Sequence, residues 1–316
     1  MKLIEKELSG VKTVGITGHL RPDGDCVGST LGLYNYIKEN FPDIEVEIFL
    51  EPVEKHFLFL NRADEIISKA VGERHHDLFI VLDCGDLERT AEFVRPYIQA
   101  ASRTLCIDHH LTGSHFATVN HVCPEISSAS EVLYELLEEK LISKNVAECL
   151  YVGIIHDTGV LKYQATTSRT LQIAGRFMDM GIDFTSIIDD TFYRKSYEQN
   201  IVMGIALTQS RLALDGKLIY SYVTGSTLRE HGLIGRDTGG IIDQLRFTNG
   251  VEVAAFMYDL PEGKIKVSLR SVKYVDVNYI ANRFEGGGHA RAAGFTVKMS
   301  AEEIIEKLTA LVKELL

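Results

Sequence analysis

The sequence lacks four things: a CxxC pair, a basic excess, a long apolar run and an internal repeat. Each absence removes a class of protein. The five cysteines, Cys26, Cys84, Cys106, Cys123 and Cys149, are odd in number and scattered through apolar or turn contexts. A disulfide framework is therefore not expected, and a reducing compartment fits. No apolar stretch reaches the roughly 18 residues of a membrane span. The opening segment MKLIEKELSG is charged and has no apolar signal-peptide core, which makes the cytoplasm the expected location. Lys and Arg number 33 against 44 Asp and Glu, a net charge of −11. Long nucleic acid is held chiefly by basic surface, so it is not an expected partner. A small phosphorylated ligand stays open, because metal ions and a few arginines can build a local positive field.

What is present is ordinary globular material, 45% hydrophobic and 24% charged over 316 residues. At roughly 100–200 residues per domain, that length suggests two domains. The first half alternates strand-like runs (Val11 to Thr17, Ile44 to Leu50, Leu78 to Leu82, Thr104 to Ile107) with helical spacings (Val27 to Lys38, Glu131 to Lys140, Val146 to His156, Arg169 to Met180). This pattern predicts an α/β domain, a parallel sheet with helices on both faces, over residues 1–190. A helical linker is expected over 191–208. Strand-like runs then resume around Asp215–Gly216 and Glu262–Gly263, which is hairpin chemistry. A glycine-rich turn and a closing helix complete a smaller α+β domain over 209–316.

Ligands of such parallel sheets gather at the carboxyl ends of the strands. The segments just beyond the strands carry His19, Asp23 and Asp25, then Asp83, then Asp108, His109 and His110; Asp157 ends a helix. Phosphodiesters resist hydroxide because both are anionic. Two divalent ions about 3.5–4 Å apart relieve that repulsion. Holding them takes several carboxylates, a few imidazoles and a shared ligand, and His19, Asp23, Asp25, Asp83, His109 and Asp157 have that composition. With no thiolate in the set, Mn2+ or a similar ion is favoured over structural zinc. Asp23 and Asp25 are expected to reach different ions if the loop bends at Gly24. Taken singly, each piece has a plainer reading: Asp-Gly-Asp as a solvated turn, Asp83 as a helix cap, and Cys26 and Cys84 as buried packing residues.

The set His19-x-x-x-Asp23-x-Asp25, Asp83-x-x-Asp86-x-x-Arg89, Asp108-His109-His110 and Asp157-Thr158-Gly159 resembles the DHH phosphoesterase family. Gly286-Gly287-Gly288-His289-Ala290-Arg291-Ala292-Ala293-Gly294 resembles the signature of the DHH-associated domain. The layout is most similar to the nanoRNase/pAp phosphatase subgroup. The resemblance implies one Mn2+ on His19, Asp23 and Asp83, and a second on Asp25, Asp83, His109 and Asp157, with Mg2+ and Co2+ as alternatives. It makes Asp83 the bridge, Asp108 the group that orients a ligand histidine, and His110 the residue that contacts the scissile phosphate or protonates the leaving oxygen. For Arg89, substrate binding and anchoring at Asp86 both stand. Gly286, Gly287, Gly288, His289, Arg291 and Arg270 are the implied substrate-binding set. Many family members carry Asn shortly after the paired histidines. Here the stretch is Leu111-Thr112-Gly113-Ser114, and Ser127 to Glu131 reads either as a family segment or as a helix cap.

The implied activity is hydrolysis of short oligoribonucleotides to mononucleotides, or of 3′-phosphoadenosine 5′-phosphate to AMP. Its rivals are a cyclic di-AMP or linear pApA phosphodiesterase and a catalytically dead nucleotide sensor. The expected partners are a small nucleotide or short RNA, with no membrane and with a homodimer allowed.

Overall fold

The computed structural model describes residues 2–110 and 113–316. It contains two compact units, Met1–Arg194 and Lys195–Leu316. In the first, strands β1 (Thr13–Thr17), β2 (Glu45–Phe49), β3 (Leu78–Leu82), β4 (Arg103–Asp108) and β5 (Val119–Val122) form one sheet. Their order is β2-β1-β3-β4-β5 and every pairing is parallel. β3, LFIVL, is buried along its whole length, as a strand covered on both faces must be. Leu78, Ile80 and Leu82 enter one core while Phe79 and Val81 enter another, the alternation of a pleated strand. The expected α/β sheet with helices on both faces is what forms.

The helices of this unit are α1 (Leu3–Glu7), α2 (Gly24–Asn40), α3 (Arg95–Ala100), α4 (Ala129–Leu136), α5 (Lys144–Asp157), α6 (Ser168–Asp179) and α7 (Phe184–Ile188). The chain places β2 on one side of β1 and β3 on the other. Strand order therefore reverses at β1 and β3, and a crevice opens beyond their carboxyl ends.

The second unit carries a mixed sheet of β6 (Arg211–Ala213), β7 (Leu218–Val223), β8 (Val253–Leu260), β9 (Lys264–Ser271), β10 (Gly287–His289) and β11 (Ala292–Val297), ordered β10-β11-β9-β8-β7-β6. Its pairings are antiparallel except β7 with β8. Helices α8 (Tyr197–Thr208), α9 (Gly225–Glu230), α10 (Ile241–Arg246), α11 (Val277–Asn282) and α12 (Ala301–Leu315) accompany it. Both expected hairpins are present, β6–β7 and β8–β9.

Three expectations are corrected. The helix read as a linker, α8, buries Val202 and Ala206 in the second unit's own core. The glycine-rich turn is a short edge strand, β10, and the turn itself is Ala290–Arg291. A Cβ on Gly288 would lie 2.5 Å from the Ala292 carbonyl oxygen, and one on Gly286 would strike Gly294 and Phe295. These glycines thus let β10 press onto β11. Finally, α2 begins at Gly24, so Asp25 stands in the first turn of a helix and not in a bent loop. No helix among the described residues is long and apolar enough to cross a membrane.

Candidate metal centre

Asp23 caps α2, its Oδ1 accepting from the backbone N–H of Asp25 (3.1 Å) and Cys26 (3.2 Å). It also lies 3.5 Å from His19 Nε2. His19 Nδ1 sits 2.8 Å from the Leu20 carbonyl oxygen, which leaves Nε2 as the nitrogen for a ligand role. Asp83 stands where β3 ends. Its Oδ2 is 3.4 Å from His19 Nε2 and its Oδ1 is 3.5 Å from His109 Nε2. The two oxygens of one carboxylate thus face two separate histidines.

Asp25 is wholly buried. Its Oδ2 accepts the Ala129 N–H at 2.6 Å and its Oδ1 the Ser130 N–H at 3.0 Å. These are free amides at the start of α4, whose own cap is the Ser128 hydroxyl. The first turn of α4 is tied down through Glu131, whose Oε2 accepts from the Ser127 and Thr170 hydroxyls. His109 Nε2 is 3.9 Å from Asp25 Oδ2 and 3.0 Å from Asp157 Oδ2. Asp157 is the last residue of α5.

Helices α2 and α5 meet along glycines four apart on α2. A Cβ on Gly28 would lie 2.5 Å from the Cys149 carbonyl oxygen and 2.7 Å from the Gly153 nitrogen; one on Gly32 would meet Leu150 at 2.8 Å; and one on Gly24 would strike the His156 ring. This close approach brings the start of α2 beside the end of α5, and so Asp25 toward Asp157. His156, next to Asp157, is not in the cluster. It is half-buried against Phe57 and Phe192, with Nε2 3.1 Å from the Thr191 hydroxyl. Burial and the nearby His56 lower its pKa to about 4, which keeps it neutral.

Three ligand-competent groups result: His19, Asp23 and Asp83; Asp25, His109 and Asp157; and Asp83, His109 and His110, each with donor atoms within 4.8 Å of one another. Whether a cation fits is answered by the unpaired atoms. Asp83 Oδ1 is buried with no hydrogen-bond partner, and His109 Nε2, though 3.0 Å from Asp157 Oδ2, meets it outside hydrogen-bonding geometry, a cost that buried polar atoms seldom bear without a ligand. The charges say the same. Burial opposes ionisation of His19 and His109, yet contacts with Asp23 and Asp83 raise His19 to about 10, and those with Asp157, Asp83 and Asp25 raise His109 to about 11. Asp83 is held at about 2, because both histidines outweigh its burial. Burial and neighbouring carboxylates push Asp25 and Asp157 up. Without a cation, the carboxylates gather protons onto the imidazoles, so the donor set suits divalent metal.

His110 is distinct. Its Nδ1 is 2.8 Å from Asp108 Oδ1 and 3.6 Å from Asp83 Oδ1. Asp108 also accepts the His109 backbone N–H at 2.9 Å. Asp108 thus meets the ring of His110 and only the backbone of His109. Arg89 is exposed and makes no side-chain bond to Asp86 among the described residues. Of the two readings of Arg89, the anchor to Asp86 is thus not formed; its carbonyl accepts the Leu20 N–H at 2.6 Å. Leu111 and Thr112 lie outside the described residues.

In the second unit, Arg291 donates to the Ser271 hydroxyl (2.9 Å) and the Val275 carbonyl (2.8 Å). Arg270 Nε lies 4.0 Å from Asp243. His289 and Gly287 are exposed on β10. Sequence reasoning missed the α4 amides and the α2–α5 crossing. The second had a visible signal in Gly24, Gly28 and Gly32, one stripe at helical spacing.

A parallel sheet whose strand ends gather histidines and aspartates into a metal-competent cluster, followed by a mixed-sheet unit with a glycine-rich edge, defines a two-domain phosphoesterase architecture. Residues 13–154 match the DHH family, N-terminal domain, and residues 215–316 match the DHHA1 domain; the chain belongs to the DHH family. It is similar to the probable bifunctional oligoribonuclease and PAP phosphatase NrnA of Streptococcus mutans, 29% identical over 99% of both chains. It is 27% identical to the Bacillus subtilis bifunctional oligoribonuclease and PAP phosphatase NrnA, over 98% of this chain and 97% of that one. Among solved structures, an exopolyphosphatase-related protein of Bacteroides fragilis superposes with a TM-score of 0.89 at 26% identity, covering 98% of this chain and 94% of that one.

Proposed function

We propose that the chain is a Mn2+-dependent phosphoesterase that hydrolyses short oligoribonucleotides to mononucleotides and 3′-phosphoadenosine 5′-phosphate to AMP. The observation that carries this reading is Asp83. Its two oxygens face His19 and His109 separately, and one of them is buried without a partner. His19, Asp23 and Asp83 would hold one ion, and Asp25, Asp83, His109 and Asp157 the other. Two divalent ions at such a site supply neutralisation of the phosphoryl oxygens and acidification of a water.

The chain's own groups do the rest. The α4 amides fix both oxygens of Asp25 against rotation. Asp108 Oδ1 faces His110 Nδ1 and would accept its N–H, which leaves Nε2 as the atom that contacts the phosphate or, in the doubly protonated ring, gives its proton to the leaving oxygen and leaves the neutral Nδ1–H tautomer behind. The substrate class is supported by relatives matched over nearly the whole chain that bear oligoribonuclease and PAP phosphatase names. His289, Arg270 and the exposed glycine edge of the second unit are the proposed nucleotide-end contacts.

The test is one panel with purified protein and Mn2+: 3′-phosphoadenosine 5′-phosphate, RNA of two to five nucleotides, longer RNA, linear pApA, cyclic di-AMP and inorganic polyphosphate. Fastest initial rates are expected on the first two. A preference for cyclic di-AMP or polyphosphate would replace the reading, and nucleotide binding without any product would make the chain a sensor.

A further inference from the structure

We infer that the loop joining β9 to α11 is a preformed platform for a nucleobase, with Tyr274 as its stacking face and Lys273 as its phosphate contact. The inference rests on the reading that the chain acts on nucleotides and adds to it a base-recognition site outside the glycine-rich signature.

The loop is held from beneath by one buried carboxylate. Glu252 is 3% exposed. Its carbonyl accepts the Val272 N–H at 2.9 Å, and its Oε1 accepts those of Lys273 (3.1 Å), Tyr274 (2.7 Å) and Val275 (2.9 Å). Four successive amides are thus satisfied from inside the fold, and Val275 and Val277 are buried in its core. Arg291 adds its bond to the Val275 carbonyl. With its backbone fixed inward, the loop presents its side chains to solvent: Val272 is 42% and Tyr274 52% exposed. Neither Lys273 nor Tyr274 makes a side-chain hydrogen bond or ion pair among the described residues.

An exposed aromatic ring on an immobilised backbone has already met the ordering cost that a mobile loop would meet on binding. The loop also rides on the turn that follows His289. The Ser271 N–H bonds the Arg291 carbonyl and the Val277 N–H bonds the Ala290 carbonyl, each at 3.0 Å. The loop is thus tied at both of its ends to the turn that closes β10 onto β11. An exposed ring next in sequence to an exposed ammonium suits a nucleoside phosphate: the base stacks on Tyr274, the phosphate meets Lys273, and the recognition tolerates any base.

The experiment uses the full chain with Mn2+, pApA, and matched dinucleotides that lack one base or the other. Tyr274→Ala is expected to raise KM for pApA about tenfold, within the roughly 5- to 150-fold span of one base–aromatic stack. The expected kcat stays within about twofold, and one of the two abasic substrates should show no change in KM. Tyr274→Phe should behave as the unsubstituted protein. An equal rise in KM on all three substrates would mean a structural role and overturn the platform, as would an unchanged KM on pApA. If the unsubstituted protein turns over none of them, the functional reading fails by itself. Titration of AMP into both proteins then decides the platform: weaker binding to Tyr274→Ala supports it, and equal binding overturns it.

Discussion

Asp83 follows β3 with a φ of +54°, in the left-handed region that Asp and Asn tolerate better than most residues because their short side chains bond locally. The conformation turns the carboxylate across the strand ends, where its two oxygens meet different histidines. Two substitutions separate charge from backbone. Asp83→Asn keeps the shape and the tolerance of positive φ, so melting temperature should hold while turnover falls to background. Asp83→Ala should lose turnover and also about 1–2 kcal/mol of stability from the left-handed backbone. Near-normal activity in the Asn variant would remove Asp83 from the centre of the mechanism. The histidines give a second expectation at this scale. In the metal-free protein His19 and His109 hold protons to about 10 and about 11, burial being outweighed by the carboxylates around them. A metal must displace those protons, so its binding at pH 8 should release protons and tighten as pH rises toward that range, and weaken as pH falls. Calorimetry in two buffers of different ionisation heat reads the number released; a value of zero would show the imidazoles already neutral.

At the scale of elements, the glycine stripe of α2 sets how near Asp25 comes to Asp157. Gly28→Ala would place a methyl against backbone atoms of α5 that cannot rotate away. About 1–3 kcal/mol of stability should be lost, and metal affinity should fall by roughly 10–100-fold as the ligands part. Gly175 on α6 has nothing within 4 Å of its would-be Cβ, so Gly175→Ala should stabilise by up to about 1 kcal/mol and leave metal binding alone. Equal metal affinity in both variants would show that the crossing does not position the site.

The same elements explain what the sequence made legible. Buried strands announce themselves as apolar runs, and the Asp or His that ends each run marked the site. β5, Val119–Val122, was missed because its four residues are all half-buried and include Asn and His, which leaves no apolar run to read. The short α9, α10 and α11 were missed because six residues give fewer than two helical periods. The clamp of α4 on Asp25 is made by backbone amides, which every sequence has, so no residue type signals it. The helix start that carries Asp25 was read as a loop because Asp-Gly-Asp is turn chemistry in isolation; the cap at Asp23 needs the fold around it to be recognised.

At the scale of the whole molecule, each of the two units has cores of its own on both faces of its sheet, and the chain carries a net charge of −11. That charge bears on how affinity for RNA can be built. A protein that grips a long strand through many phosphate contacts loses about 10³- to 10⁵-fold in affinity between 50 and 200 mM salt, because each contact releases counterions. An acidic chain with metal-competent carboxylates has a metal centre, and not a basic surface, to neutralise phosphate, so few phosphates can be neutralised at a time. KM for a dinucleotide should therefore change less than about tenfold over that salt range. Activity per end should also decline as RNA lengthens, because each added phosphate adds repulsion from a chain of net charge −11. Initial rates on RNA of two, five and twenty nucleotides at both salt concentrations measure this. A steep salt dependence on the twenty-nucleotide strand, with rates at low salt matching those on the dinucleotide, would reveal a basic track and return long RNA to the list of substrates.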